Sequence, residues 1–136
     1  MDPWILLIIA GIAAAVVLPM RLSRVDPRRA QELALGGAVL IDVRSPAEYA
    51  AAHLPGALLL PLRQLSGKNL ASLDRSQALI VYCTSGARSA LAARSLRRAG
   101  YSKVFDLGSI SRWPAAERHA ELTAAPPQEA IDPTLH

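Results

Sequence analysis

The chain has 136 residues, 15 Lys and Arg against 11 Asp and Glu, and one cysteine. A single cysteine excludes an internal disulfide framework, and no His/Cys cluster is available to hold a metal. The net charge of +4 points to nucleic acid only until it is located: from residue 30 onward there are 11 Lys/Arg against 9 Asp/Glu, and the excess sits in Arg21, Arg24, Arg28 and Arg29.

Apolar character is as uneven as charge. Residues 3–20 contain no charged side chain. As a helix they would extend about 27 Å, near the thickness of a bilayer's hydrocarbon core. Trp4 suits the headgroup belt at one end, with Arg21 and Arg24 at the other. A cleaved signal peptide opens on positive side chains and closes on a small-x-small site, whereas here Asp2 precedes the run and Leu18-Pro-Met-Arg-Leu22 follows it. The expectation is one retained transmembrane helix, in contact with the lipid bilayer through residues 3–20. The arginines that follow it would lie near anionic lipid. By the positive-inside bias they set the rest of the chain in the cytoplasm, on a single-pass protein of the inner (cytoplasmic) membrane.

Asp26-Pro27 predicts a helix start, with Asp as N-cap and Pro at the first helical position, and Gly36-Gly37 its stop. A strand is predicted over 39–43, a short helix over 46–51, a turn over 53–56 and a short buried strand over 57–60. Residues 61–73 read as loop with one or two helical turns. Strands over 79–82 and 104–105 flank a helix over 89–98 that Gly100 ends, and a last helix is predicted over 110–118. Strands alternating with helices predict an α/β domain with a small, mainly parallel sheet flanked by helices. The expected division is an anchor and basic segment over 1–24, one domain over 25–119 and a Pro-bearing, disordered tail over 120–136.

The chemistry-bearing stretch is Cys83-Thr-Ser-Gly-Ala-Arg-Ser89. The cysteine follows the β-prone run Ala78-Leu-Ile-Val-Tyr82 and precedes a segment of strong helix formers. It therefore falls where a buried strand ends and a short loop feeds a helix N-terminus. Unpaired amides and the positive end of the helix dipole point there, and Arg88 adds a full charge. These favour thiolate over thiol and make the sulfur a nucleophile. Amides of Thr84, Ser85, Gly86, Ala87, Arg88 and Ser89 converging on one point would form an anion-binding nest, with Gly86 free to take positive φ. The C-x4-R spacing suits one extra sulfur atom on the cysteine; a loop one residue longer would suit a tetrahedral phosphate.

This loop resembles the C-x-x-G-x-R active-site loop of the rhodanese-like sulfurtransferases. Val39-Leu-Ile-Asp42-Val-Arg44 resembles the family's first core strand, Pro46-Ala-Glu48-Tyr49 its S-P-x-E-[FY], His53-Leu-Pro-Gly-Ala57 its H-I-P-G-A, and Leu107-Gly108-Ser-Ile-Ser-Arg-Trp113 its closing L-x-G-G-x-x-x-W. Two positions depart from it. Ser109 replaces the second closing glycine, and Thr84 stands where the family often has arginine. The resemblance implies a rhodanese-like fold and a sulfurtransferase in which Cys83 takes sulfane sulfur from a donor such as thiosulfate or a persulfide. It becomes a persulfide and passes the sulfur to a thiol or cyanide-type acceptor, with no cofactor beyond that covalent intermediate. A membrane or sulfur-relay protein is a further expected partner, and nucleic acid is not.

Asp42 and Arg44 are expected to support the site structurally, Asp42 by accepting loop hydrogen bonds and Arg44 by pairing with a nearby carboxylate such as Glu48. Arg88 serves the sulfur, a carboxylate as scaffold, or both. His53 reads as a satisfied structural histidine, Trp113 as core, and Arg94, Arg97 and Arg98 as a solvated helix face. Two readings compete. One is a non-catalytic rhodanese-like interaction module at the membrane. The other is a cysteine-loop phosphatase or arsenate reductase, which needs a C-x5-R loop and an acid within it.

Overall fold

The computed structural model describes residues 2–114. The expected tail over 120–136 and the end of the expected last helix lie outside the described residues.

A first helix, α1 (Pro3–Leu22), precedes the domain. The domain then runs α2 (Pro27–Leu35), β1 (Val39–Asp42), α3 (Pro46–Ala51), β2 (Leu58–Leu59), β3 (Leu79–Cys83), α4 (Ala87–Arg98) and β4 (Val104–Ser109), with short 3-10 turns at Leu62–Gln64, Gly67–Asn69 and Ile110–Arg112. The four strands form one parallel sheet in the order β2-β1-β3-β4.

Local chemistry sets the element starts. The Asp26 carboxylate accepts from the N–H groups of Arg28 and Arg29, and Pro27 opens α2. Ser45 and Glu48 form a reciprocal capping box at the head of α3. Every residue of β3 is buried, because helices or loops cover both faces of the sheet; a strand in that position reads as an unbroken apolar run. Ile41, Val43, Leu79, Val81 and Cys83 pack on one face against Ala92, Ala93 and Leu96 of α4. Leu40, Ile80, Tyr82 and Leu107 pack on the other with Ala30, Tyr49, Leu54 and Trp113.

The α/β architecture and the parallel sheet agree with the sequence-based reading, and three elements differ in extent. β4 continues through Asp106 and Gly108 to Ser109, although these residues are poor strand formers. Its ladder with β3 shifts register between Val81 and Tyr82, and the buried Asp106 carboxylate accepts the Gly108 N–H at 2.8 Å across the irregularity. α4 starts at Ala87, two residues early, because Gly86 at φ +96° acts as its N-cap. The last described helical piece is the 3-10 turn Ile110–Arg112.

The expected membrane helix is not established. Among the described residues no helix is long and apolar enough to cross a membrane, and the described side chains of α1 run only to Leu18. α1 does leave Trp4, Leu7, Ile8, Ile12, Val16 and Leu18 exposed.

Candidate active site

Parallel strands put their carboxyl ends on one edge of the sheet, where α/β sites form. Asp42 pairs with Tyr82 across β1 and β3, so the ends of both strands, with Arg44 and Cys83, share that edge as expected.

Cys83 is fully buried and closes β3. The chain turns at once into α4 through exposed Thr84 and Ser85 and buried Gly86. The left-handed Gly86, a conformation that costs glycine little, aims its N–H at Cys83 Sγ at 2.9 Å. Of the amides expected to converge from Thr84 to Ser89, this is the one that donates to sulfur. Ala87, Arg88 and Ser89 are not loop residues but the first turn of α4. Ser89 is buried and its hydroxyl donates to the Gly86 carbonyl at 3.0 Å, bracing the turn from behind.

Arg88 is tied to a carboxylate. Its Nη1 and Nη2 donate to Glu48 Oε1 and Oε2 at 2.7 and 2.9 Å, and Thr84 Oγ1 donates to Glu48 Oε2 at 2.8 Å. The capping box aims Glu48 by bonding it to the Ser45 N–H and hydroxyl. One carboxylate on α3 therefore fastens both ends of the loop, and Thr84, which departs from the family pattern, is a rung of that clamp. The Glu48 bonds hold Arg88 further toward its charged form, with Cys83 contributing.

The same bonds, Arg88 first and then Thr84 and the Ser45 N–H, hold the Glu48 carboxyl far below its ordinary 4.5. A carboxyl lowered by folding contributes stability above its unfolded pKa and loses it as pH falls through the lowered value. The clamp is therefore expected to stay closed as pH falls past 4.5. Carbon-detected NMR of the Glu48 carboxyl checks this, and a midpoint at its ordinary value would contradict it.

Arg44 does not pair with Glu48. Its Nε and Nη2 fork onto Asp42 at 2.9 and 2.7 Å, its own N–H donates to Asp42 Oδ1 at 3.0 Å, and Nη2 also reaches the Ala52 carbonyl. Glu48 is already occupied by Arg88, Thr84 and Ser45, while Asp42 is buried two residues away. Burial is the largest influence and works against the Arg44 charge, but the Asp42 hydrogen bonds and the negative charge of Asp42, with Tyr82 and Glu48, together outweigh it and its pKa is raised. Asp42 thus serves β1's end and not the cysteine loop. His53 is satisfied, its Nδ1–H donating to the Tyr49 carbonyl at 2.8 Å and its ring stacked on Tyr49 at 3.7 Å. Trp113 is core.

A cavity of about 500 Å³ opens beside the loop, lined by Val43, Arg44, Pro61, Leu62, Arg63 and Arg88 among others. Arg88 brings this cavity to the cysteine loop, while Cys83 itself is not part of its lining. Among the described residues no group of His, Cys, Asp and Glu could hold a metal ion. Sequence reasoning missed two residues that touch the loop. One is Glu48 as the partner of Arg88, for which the S-x-x-E capping signature was the available signal; the other is Arg24, which packs on Gly86 and Gly108.

Residues 27–116 match the Rhodanese-like domain family. The chain belongs to that family. This rhodanese-like chain is 37% identical over 95 residues to the probable adenylyltransferase/sulfurtransferase MoeZ of Mycobacterium tuberculosis, a match covering 67% of this chain and 24% of MoeZ. It thus spans about a quarter of that relative. It is 37% identical over 94 residues to the thiosulfate sulfurtransferase GlpE of Ectopseudomonas mendocina, covering 68% of this chain and 85% of GlpE. Among solved structures, the human single-domain sulfurtransferase TSTD1 superposes with a TM-score of 0.58 at 29% identity, over 67% of this chain and 94% of that one. The rhodanese-like fold expected from the motifs is therefore borne out.

Proposed function

We propose that this chain is a rhodanese-type sulfurtransferase in which Cys83 is the sulfur carrier. The observation that carries the reading is the Gly86 N–H on Sγ at 2.9 Å, at the head of α4, beside a clamped Arg88. A hydrogen bond and a nearby positive charge are the groups that stabilise a sulfur leaving as an anion. GlpE and TSTD1, which this chain spans over most of their length, carry sulfurtransferase names, which supports the same class.

In the first step the Cys83 thiolate attacks the sulfane sulfur of the donor. The Sγ–S bond forms as the donor's S–S bond breaks, and the leaving group departs with the electron pair, as sulfite if the donor is thiosulfate. In the second step an acceptor thiolate or cyanide attacks the outer sulfur, and Sγ leaves as thiolate. The two displacements balance without an oxidant, metal or cofactor. Sγ is fully buried, so the exposed Thr84–Ser85 arm must yield to admit the donor from the cavity that Arg88 lines. Arg88 and the Gly86 amide stabilise the negative charge on sulfur in both steps. Arg44 and Asp42 hold the β1 edge of that cavity. A sulfur-relay protein is a suitable acceptor. Steady-state thiosulfate:cyanide transfer should follow ping-pong kinetics and vanish in Cys83→Ser; ternary-complex kinetics would contradict a persulfide carrier.

The finer reading is a tethered enzyme. The uncharged run over 3–20 and the exposed apolar side chains of α1 support an anchor in the inner membrane with the domain on the cytoplasmic side. Full-length protein should then remain in the membrane pellet after alkaline carbonate extraction, and release into the supernatant would contradict the tether.

A further inference from the structure

The segment between α1 and α2 does more than connect them. The Val25 N–H donates to the Asp106 carbonyl at 2.8 Å, and Arg24 bridges Asp106 in parallel. Residues 24–25 thus lie along β4, which is the last strand of the sheet order on that side. From there the Arg24 side chain reaches the carboxyl end of the sheet. A Cβ added to Gly86 would collide with Nη2 of Arg24, and one added to Gly108 would sit 2.9 Å from its Nε. Both glycines have positive φ, +96° and +85°.

Two glycines on separate elements therefore leave one hollow, and the Arg24 guanidinium fills it. Its Nε is buried without a hydrogen-bond acceptor, so packing and charge hold it in place. The facing anion is Asp106, 2% exposed. Burial pushes the Asp106 carboxyl up, and Ser89, the Gly108 N–H, Arg24 and Arg97 pull it back. The path from this guanidinium to sulfur is two contacts long: Arg24 against Gly86, and the Gly86 N–H on Cys83 Sγ.

We propose that Arg24 is a positioning residue for the chemistry at Cys83, filling the hollow over Gly86 and Gly108 and so holding the left-handed turn that aims the Gly86 N–H at Sγ. Arg24 lies ahead of residues 27–116, the part matched by the family, so the cysteine loop of this chain is completed by the segment that leaves α1. In its activity arm this inference rests on the sulfur-carrier reading; in its reactivity arm it does not.

The test uses the full chain with Arg24→Met, which keeps length and removes charge, and Arg24→Lys, which keeps charge. Alkylation of Cys83 by iodoacetamide reads the sulfur directly, and uptake of sulfur from thiosulfate reads the reaction. Arg24→Met is expected to slow both about tenfold, the size of one hydrogen bond to a charged group, with the KM for thiosulfate unchanged. Arg24→Lys is expected to recover most of that loss. Wild-type rates in Arg24→Met would overturn the proposal. So would equal losses in the two variants that track their melting temperatures, since ordinary packing would then account for them. If wild type is alkylated but takes up no sulfur from any donor, the sulfur-carrier reading fails and the alkylation arm still decides the role of Arg24.

Discussion

Replacing Asp42 with Ala is expected to destabilise the fold by about 3–5 kcal/mol, because it leaves a buried guanidinium without its counter-charge. Arg44 is 6% exposed and Asp42 fully buried; the fork between them closes at 2.7 Å. The Arg44 guanidinium also lies 5.7 Å from the Tyr82 ring centroid, and that contact cannot replace a carboxylate. For a domain of this size each kcal/mol moves the melting temperature by roughly 4–8 °C, so a fall of roughly 12 °C or more is expected. Asp42→Asn keeps part of the hydrogen bonding and should fall less. Thermal melts of the full chain check both. A change in Asp42→Ala within the range of an ordinary surface substitution, about 0.5 kcal/mol, would mean that Arg44 finds another anion.

Gly86→Ala should act on stability and chemistry together. At φ +96° a Cβ is strained in any surroundings, which costs about 1–3 kcal/mol. Here the added carbon would also collide with the Arg24 guanidinium. The Arg24 guanidinium, the end of a flexible side chain, can shift away from the added carbon, but relief of the φ strain rotates the Gly86 peptide, and that withdraws the amide that donates to Sγ. Sulfur uptake by Cys83 is therefore expected to fall by at least about tenfold, beyond what the folded fraction explains. Circular dichroism measures that fraction and stopped sulfur-uptake assays the rate. Uptake at the wild-type rate per folded molecule would separate the amide from the chemistry.

The features legible in the sequence are those encoded by neighbours. Asp26-Pro27 specifies the head of α2, the apolar run ahead of Cys83 specifies a buried strand, and Gly86 occupies the position where the turn needs positive φ. Contacts between distant segments were not legible. Glu48 meets Thr84 and Arg88 across 36 and 40 residues, and Arg24 meets Gly86 only because its segment lies along β4. Arg44 had carboxylates two and four positions away, and spacing alone could not choose between them; burial of Asp42 and prior occupation of Glu48 did. The length of β4 escaped for a related reason. Asp106 and Gly108 are weak strand formers, and the ladder with β3 holds them in the strand regardless.

These contacts place one sulfur at the meeting of three supports. Glu48 fastens Thr84 and Arg88, Ser89 braces the Gly86 carbonyl, and Arg24 packs on Gly86 from the β4 side. The supports on Gly86 keep its amide on Sγ while the exposed Thr84–Ser85 arm yields to the donor.

The most direct measurement is the intact mass of the full chain after incubation with thiosulfate or a persulfide donor, alongside Cys83→Ser. A gain of one sulfur atom is expected, absent from the variant and removed by cyanide or a thiol. A folded wild-type protein that gains no sulfur from any donor would contradict it and leave a rhodanese-like domain kept for binding.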